Sequence, residues 1–309
     1  MIKHFSHLWV IIILSFHSLS AQKTNFQKKV TFGEVPTSSF SLTTYDKAPD
    51  AEAVVLFDIG ESYFESRIIT NIIHTRHRRI KILKKEGYDL ANIAIPIYKK
   101  GETLNKLEAV SITRNSDGKI IRNRVLPKDI YEEKYNKRWK LIKFAFSNIK
   151  VGSIIEYRYT IKSKFDVNLR SWRFQSSIPT IWSEYKASIP TYFDFVRIYQ
   201  GLSKFHHRSI TSSYLSNYNV HVKTTNYHWA MKDVPAFVTE KYMTNPENFI
   251  TKVEFQLKSA SLPGKIPITF FSSWNELEDK LISSSDFGQQ IQRENYGNEI
   301  LNTVKKLKL

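Results

Sequence analysis

The stretch "IIEYRYTIKS", Ile154 to Ser163, alternates with a period of two. Ile155, Tyr157, Tyr159 and Ile161 fall on one side; Ile154, Glu156, Arg158 and Thr160 fall on the other. That period belongs to a β-strand, because a helix returns to the same face only every third or fourth residue. One side is apolar and aromatic and the other mostly polar. This predicts a half-exposed antiparallel strand with Glu156 on its polar side. Val151-Gly152-Ser153 reads as the turn that launches it, within the longer strand-like stretch Leu141–Phe165.

The same pattern recurs along the chain. Ala51–Gly60 is a buried-type apolar run closed by a glycine, and Arg78–Leu83 alternates. Leu104–Arg114 alternates too, with Leu107, Ala109 and Ile112 leaning inward. It meets Asn115–Lys119, where Asp-Gly supplies the positive φ of a tight turn. Ile120–Asn123 then returns, which predicts a hairpin over Leu104–Asn123. Further strands are expected within Ser171–Pro179, Ser183–Pro190, Phe193–Gly201, Tyr218–Ala236 and Ile250–Ala260. Turn signals about 10 to 15 residues apart fit a sandwich or meander better than strand–helix units. The expected fold is therefore mainly β: an antiparallel sandwich or meander, divisible into two packed sub-sheets, with short C-terminal helices.

Both ends of the chain read differently. Lys3, the apolar run Leu8–Leu14 and the small residues Ser18, Ser20 and Ala21 form the three parts of a secretory signal peptide over residues 1–21. The apolar run is far shorter than the roughly 20 residues that span a bilayer. Cleavage after Ala21 and export to the periplasm or cell envelope are expected, with no integral membrane span afterwards. Residues 22–272 form the β-rich region. From Pro267 the register turns helical. Ser273 and Glu276 have the spacing of a capping box, and Trp274, Leu277, Leu281 and Ile282 share a helix side. A last helix presents Ile300, Val304 and Leu307, with Lys305, Lys306 and Lys308 at its C-terminal end, where cations are favoured. Three apolar anchors are too few for a core, so this helix is expected to pack loosely. Residues 273–309 thus read as a helical linker.

The chain carries 46 Lys and Arg against 29 Asp and Glu, a formal net charge of +17. The positive residues are spread along it rather than gathered in a run. That reads as a solvated lysine-rich surface, and no nucleic-acid partner is expected of an exported chain. With no cysteine at all, cysteine nucleophiles, disulfides, thiolate zinc sites and iron–sulfur clusters are excluded.

Searching for chemistry yields little. His74 and His77 are three apart in a strand and point to opposite faces; adjacent His206 and His207 diverge, as do His221 and His228. No histidine spacing converges on a metal, and no cofactor or metal is expected. Glu132, Glu133, Glu276, Glu278 and Asp279 read as solvated or helix-capping charges. A glycosidase pair needs no sequence proximity, but nothing points to one. Phosphate-cradling loops, Rossmann fingerprints and serine elbows are missing. Aromatics make up 14% of the chain. Trp139, Trp172, Trp182, Trp229 and Trp274 read either as stacking platforms for sugars or peptide side chains, or as a β-sandwich core rich in aromatic pairs. The run Arg76–Arg79, "RHRR", reads as a solvated strand edge.

Four blocks carry a family likeness: "NIKVGSIIEYRYTIKS" (Asn148–Ser163), "WRFQSSIPTIWSEYKASIP" (Trp172–Pro190), "WAMKDVPAFVTEKYM" (Trp229–Met243) and "SWNELEDKL" (Ser273–Leu281). Together they resemble the N-terminal domain of unknown function that precedes a transglutaminase-like domain in exported bacterial proteins of the Bacteroidota type. The likeness runs from about Val54 to Leu309. The family's chemistry lies downstream, in a Cys nucleophile with a His base and an orienting Asp, the usual logic of an activated nucleophile. This chain has no cysteine, so no catalytic residue carries over. The resemblance implies a non-enzymatic module, with residues 273–309 as the start of a truncated transglutaminase-like domain. Its role would be as scaffold, substrate-presenting or protein-interaction surface, with that downstream domain or an envelope protein or peptide as partner. Two other readings stay open: a stand-alone envelope module binding glycan or peptide, and a hydrolase with dispersed carboxylates.

Overall fold

A computed structural model describes residues 30–65, 71–164, 168–202, 204–217, 220–270, 274–285 and 288. The signal segment, the Ser273 cap and the anchors Ile300, Val304 and Leu307 lie outside the described residues. The strands in chain order are β1 (Ala53–Phe64), β2 (Ile72–Ile82), β3 (Asn92–Tyr98), β4 (Glu102–Arg114), β5 (Ile120–Arg124), β6 (Tyr131–Lys134), β7 (Trp139–Ala145) and β8 (Ile154–Ser163). They continue as β9 (Trp172–Arg173), β10 (Thr180–Pro190), β11 (Phe193–Gln200), β12 (His207–Asn217), β13 (Val220–Val234), β14 (Lys252–Ala260) and β15 (Ile268–Thr269). Helices α1 (Thr37–Ser41) and α2 (Trp274–Ser283) are short. Among the described residues no helix is long and apolar enough to cross a membrane.

The mainly β expectation holds, and the strands form three sheets. An eight-stranded sheet runs β12-β13-β10-β1-β2-β8-β4-β5. A second sheet runs β11-β14-β15 with β9 also on β14, and a third runs β3-β7-β6. All strand pairs are antiparallel except β1 with β10. The chain leaves β1, builds the β2 side of the large sheet and the third sheet, and only then lays β10 along the free flank of β1.

The two small sheets cover opposite ends of one face of the large sheet. At one end Tyr185, Trp229 and Met231 pack with Phe193, Phe195, Val253 and Leu257. At the other, Ile80, Ile82, Ile155 and Tyr157 pack with Ile95, Ile97, Ile142 and Phe144. The Asn115–Lys119 hairpin forms as expected, with Gly118 at φ +80°.

On the opposite face, Val110, Ile112 and Ile154 lie under Phe32, Val35 and Phe40. This cover corrects the reading of β8 as half-exposed. Glu156 is fully buried. It accepts from Gly33 N–H (3.1 Å), His77 Nε2 (2.6 Å) and Arg79 Nη2 (3.0 Å). A carboxylate can be buried when such partners replace its water. The "RHRR" run is likewise not a solvated edge, because β2 lies between β1 and β8. Alternation does split it, and each half meets a carboxylate on a neighbouring strand: Asp58 for Arg76 and Arg78, Glu156 for His77 and Arg79.

Gly60 does not close β1, which runs on to Phe64. Its bare backbone instead lets the Trp172 ring lie on the strand: a Cβ there would stand 2.1 Å from Trp172 Cζ3. From that contact a stack runs across the sheet. Trp172 stacks on Tyr185 (5.1 Å, 8°), Tyr185 on Trp229 (6.0 Å, 13°), and Trp229 on Tyr227 (5.5 Å, 4°). Guanidiniums cap both ends, Arg76 5.1 Å over Trp172 and Arg197 4.8 Å over Tyr227. Trp172 and Trp229 are thus core residues, one of the two readings their sequence allowed.

Gly60→Ala should lower unfolding stability by about 1–3 kcal/mol, the usual cost of overpacking a rigid contact. Urea denaturation of Gly60→Ala and of Gly60→Ala/Trp172→Leu checks this. The second substitution should make the alanine nearly neutral; an unshifted midpoint in Gly60→Ala alone would show that the ring does not press on the strand.

Candidate functional site

Among the described residues no further sheet covers the large sheet between the two small ones, and a cleft of about 1040 Å³ opens there. Its floor comes from β2, where alternation turns His74, Arg76 and Arg78 to the same face. One wall is the segment around β9, with Arg170, Trp172, Gln175 and Ser176. The other carries Ala94 and Pro96 of β3 with Trp139 and Leu141 of β7. Among the described residues β3 pairs only with β7 and β9 only with β14, so two strand edges border the cleft, that of β3 already engaged at Pro96 O by Arg170 and at Tyr98 N–H by Glu102.

The floor is held by Asp58, which is buried. Its carboxylate accepts from Arg76 Nε (2.8 Å) and Nη2 (2.5 Å), a two-pronged pair, and Arg78 Nε stands 3.4 Å away. Burial works against the Arg76 charge, but Asp58 outweighs it and holds the guanidinium pKa well above its ordinary value. Arg78 also donates to Ser176 Oγ (3.2 Å). Arg170 is paired with Glu102 and donates to the Pro96 carbonyl (3.3 Å).

Deeper in, Ser62 Oγ lies 2.9 Å from His74 Nδ1 and 2.8 Å from the Tyr185 hydroxyl. A serine beside a histidine invites a nucleophile reading. Ser62 is 0% exposed, however, and its hydroxyl is occupied by those two partners. Burial, and then the charges of Arg170 and Arg76, push the His74 pKa well below its ordinary value. The pair is a neutral core relay, with His74 at the cleft floor and Ser62 sealed beneath it. Lys81, pushed down to about 8 by burial, is sealed on the other face, with Nζ donating to Gly152 O (2.8 Å) under the Phe40 ring.

The remaining sequence candidates fall elsewhere. His74 and His77 do face opposite ways. His206 and His207 do not diverge: His206 packs on Trp182 (5.4 Å) and His207 on His228 (4.6 Å), both on the outer face. Strand β12 begins at His207, so alternation does not govern His206. Glu184, buried beside them, accepts from His228 Nε2 and Trp182 Nε1, both at 2.9 Å. Burial acts against its charge, but these hydrogen bonds outweigh it and lower its pKa. Among the described residues no three His, Asp or Glu side chains form a metal-binding group. Glu132 and Glu133 are exposed and pair with Lys140 and Lys143; Glu276 pairs with Lys280 along α2. The side chains of His221, Trp274 and Leu277 lie outside the described residues. Sequence reading missed Asp58, Arg170 and Glu102 as site residues. The available signal was the arginine run itself, since arginines two apart on an interior strand require carboxylates across from them.

Comparison with known proteins gives this architecture a family. Residues 71–238 match the model of DUF3857, a Domain of Unknown Function with solved structure, and the chain belongs to that family. Among solved structures it is similar to a "putative protease" of Parabacteroides distasonis, with 16% identity and a TM-score of 0.51 over 67% of this chain and 41% of that one. It also aligns with the M1 zinc metallopeptidase of Deinococcus radiodurans (7% identity, TM-score 0.26, 61% and 44% of the two chains). A yeast LTA4 hydrolase aligns at 12% identity and TM-score 0.28, over 74% and 34%. This chain thus spans about two fifths of the Parabacteroides protein. No curated protein matches it in sequence.

The His74 environment predicts an acid effect on stability. The folded pKa lies below that of the unfolded chain, near 6.5. Below about pH 6.5 the unfolded chain therefore binds a proton that the folded one does not, and stability falls. Relative to His74→Gln, the wild type should lose about 1 kcal/mol between pH 7.5 and 5.5. Equal losses measured by urea titration would show that His74 takes up its proton in the folded state.

Proposed function

We propose that this chain is a non-catalytic, exported module that holds polypeptide for a transglutaminase-like (papain-type Cys-His-Asp) domain, as scaffold or substrate-presenting surface. The observation that carries the reading is the cleft. It has about 1040 Å³ of space, an arginine floor and two strand edges along its border. An extended peptide can satisfy its backbone on a strand edge while its side chains enter the space beside it. A sugar has no comparable use for strand edges. The absence of any cysteine and the sealing of Ser62 support a binding role rather than a catalytic one. The similarity to a protein described as a protease supports a setting in which peptides are handled, and the resemblance of the four sequence blocks supports the transglutaminase-like partner.

A second reading is an envelope module for glycan, favoured by Trp139 and the exposed Tyr135 among the cleft-lining residues, which could stack on sugar rings.

The test is to incubate the purified chain with a mixed pool of eight-residue peptides, at roughly the length of an ordinary strand, and to follow binding and cleavage together. Retention without cleavage is expected, weakened about tenfold or more by Trp139→Ala, since an anchoring aromatic is worth at least about 1.4 kcal/mol. Cleavage abolished by Ser62→Ala would replace the module with a hydrolase. Retention of envelope oligosaccharides but of no peptide would favour the second reading.

A further inference from the structure

We propose that the cleft seats a carboxylate of the bound polypeptide, an Asp or Glu side chain or a C-terminal carboxylate, on Arg78. This rests on the reading of the cleft as a peptide site and specifies which peptides it takes.

The argument is one of charge matching within the cleft. Arg76 has Asp58, Arg170 has Glu102, and Arg173 has Glu247 at 2.6 Å. Glu254 has Lys252, also at 2.6 Å. Arg78 has only a share of Asp58, at 3.4 Å, in a carboxylate already gripped by both nitrogens of Arg76. His74 is neutral and adds nothing. The floor therefore carries one surplus positive charge, on a guanidinium whose side chain is only 15% exposed. Its Nε is buried and makes no hydrogen bond, as is also true of Arg79 and Arg170, so a ligand would meet the Nη edge of the guanidinium. A charge so placed is costly until an anion joins it.

The chemistry of that anion follows. One surplus charge is matched by a monoanion, whereas a phosphate dianion would leave a negative charge over. The planar fork of a guanidinium fits the two oxygens of a carboxylate. Arg78 already uses Nη2 on Ser176 Oγ, which fixes the side chain toward the cleft wall (3.2 Å). The neighbouring strand edges would hold the main chain of the same ligand, so the carboxylate selects among peptides rather than supplying all the affinity.

The experiment uses fluorescein-labelled octapeptides with amidated C-termini, alike except for one central Glu or Gln, and a third with Gln and a free C-terminus. Anisotropy at low salt should show the Glu peptide binding at least tenfold tighter than its Gln twin, and Arg78→Gln should abolish that preference. Arg78→Lys, which keeps the charge but not the fork, should keep only part of it. This variant also serves if Arg78→Gln fails to fold. Equal binding of all three peptides would overturn the carboxylate site and leave the peptide reading standing, whereas tighter binding of the free-C-terminus peptide alone would assign the site to a C-terminal carboxylate. A preference unchanged in both variants would place the carboxylate elsewhere and overturn it too. Binding of none of the peptides would overturn the peptide reading itself.

Discussion

Asp58 sits in the middle of a central strand, buried, with two arginines turned toward it. Much of the architecture depends on this one carboxylate. Without it, two guanidiniums on β2 would face the interior unpaired, which no sheet of this size tolerates cheaply. With it, the large sheet carries a polar seam between its two apolar ends. The small sheets can cover those ends and leave the seam open. Two residues further along β1, Gly60 lets Trp172 lie on the strand, and Arg76 bridges the two features by binding Asp58 while capping the Trp172 ring. Charge pairing and aromatic stacking therefore meet at Arg76, and the wall of the cleft is positioned by both.

Much of the β architecture was legible in the sequence because it rests on local pattern. The hairpin at Asn115–Lys119, the launch of β8 at Gly152 and most of the later strands follow from period-two alternation and turn chemistry. What escaped depends on neighbours far away in the chain. Glu156 reads as a solvent-facing residue until Thr31–Phe40 crosses over it, more than a hundred residues upstream. Strand β3 carries Pro96, which argues against an interior strand and is acceptable here because β3 is an edge. Strand β12 is rich in serine, and its few apolar residues, Ile210, Tyr214 and Leu215, give only a weak alternation to detect. The parallel join of β1 and β10 follows from the order in which strands are added, which alternation does not encode.

The site was less legible than the fold. A basic run in a strand reads most simply as a solvated edge, and only the pairing order shows that β2 is interior. The carboxylates that answer it, Asp58 and Glu156, come from two different strands, one on each side of β2. Histidine spacing was an equally poor guide, since His207 and His228 meet across a strand pair. In a chain without cysteine, belonging to a family defined as a domain of unknown function, the cleft is the feature with the most capacity for function.

The central claim is that the cleft floor holds one cation in reserve for a ligand while its other cations are already matched. Arginine side-chain Nε–Hε NMR tests it most directly, because each guanidinium gives its own signal. Titration with N-acetyl-glutamate amide should shift the Arg78 signal saturably and leave those of Arg76 and Arg79, bound to Asp58 and Glu156, in place. An Arg78 signal that stays fixed while the others move, or uniform shifts that track ionic strength alone, would contradict the account.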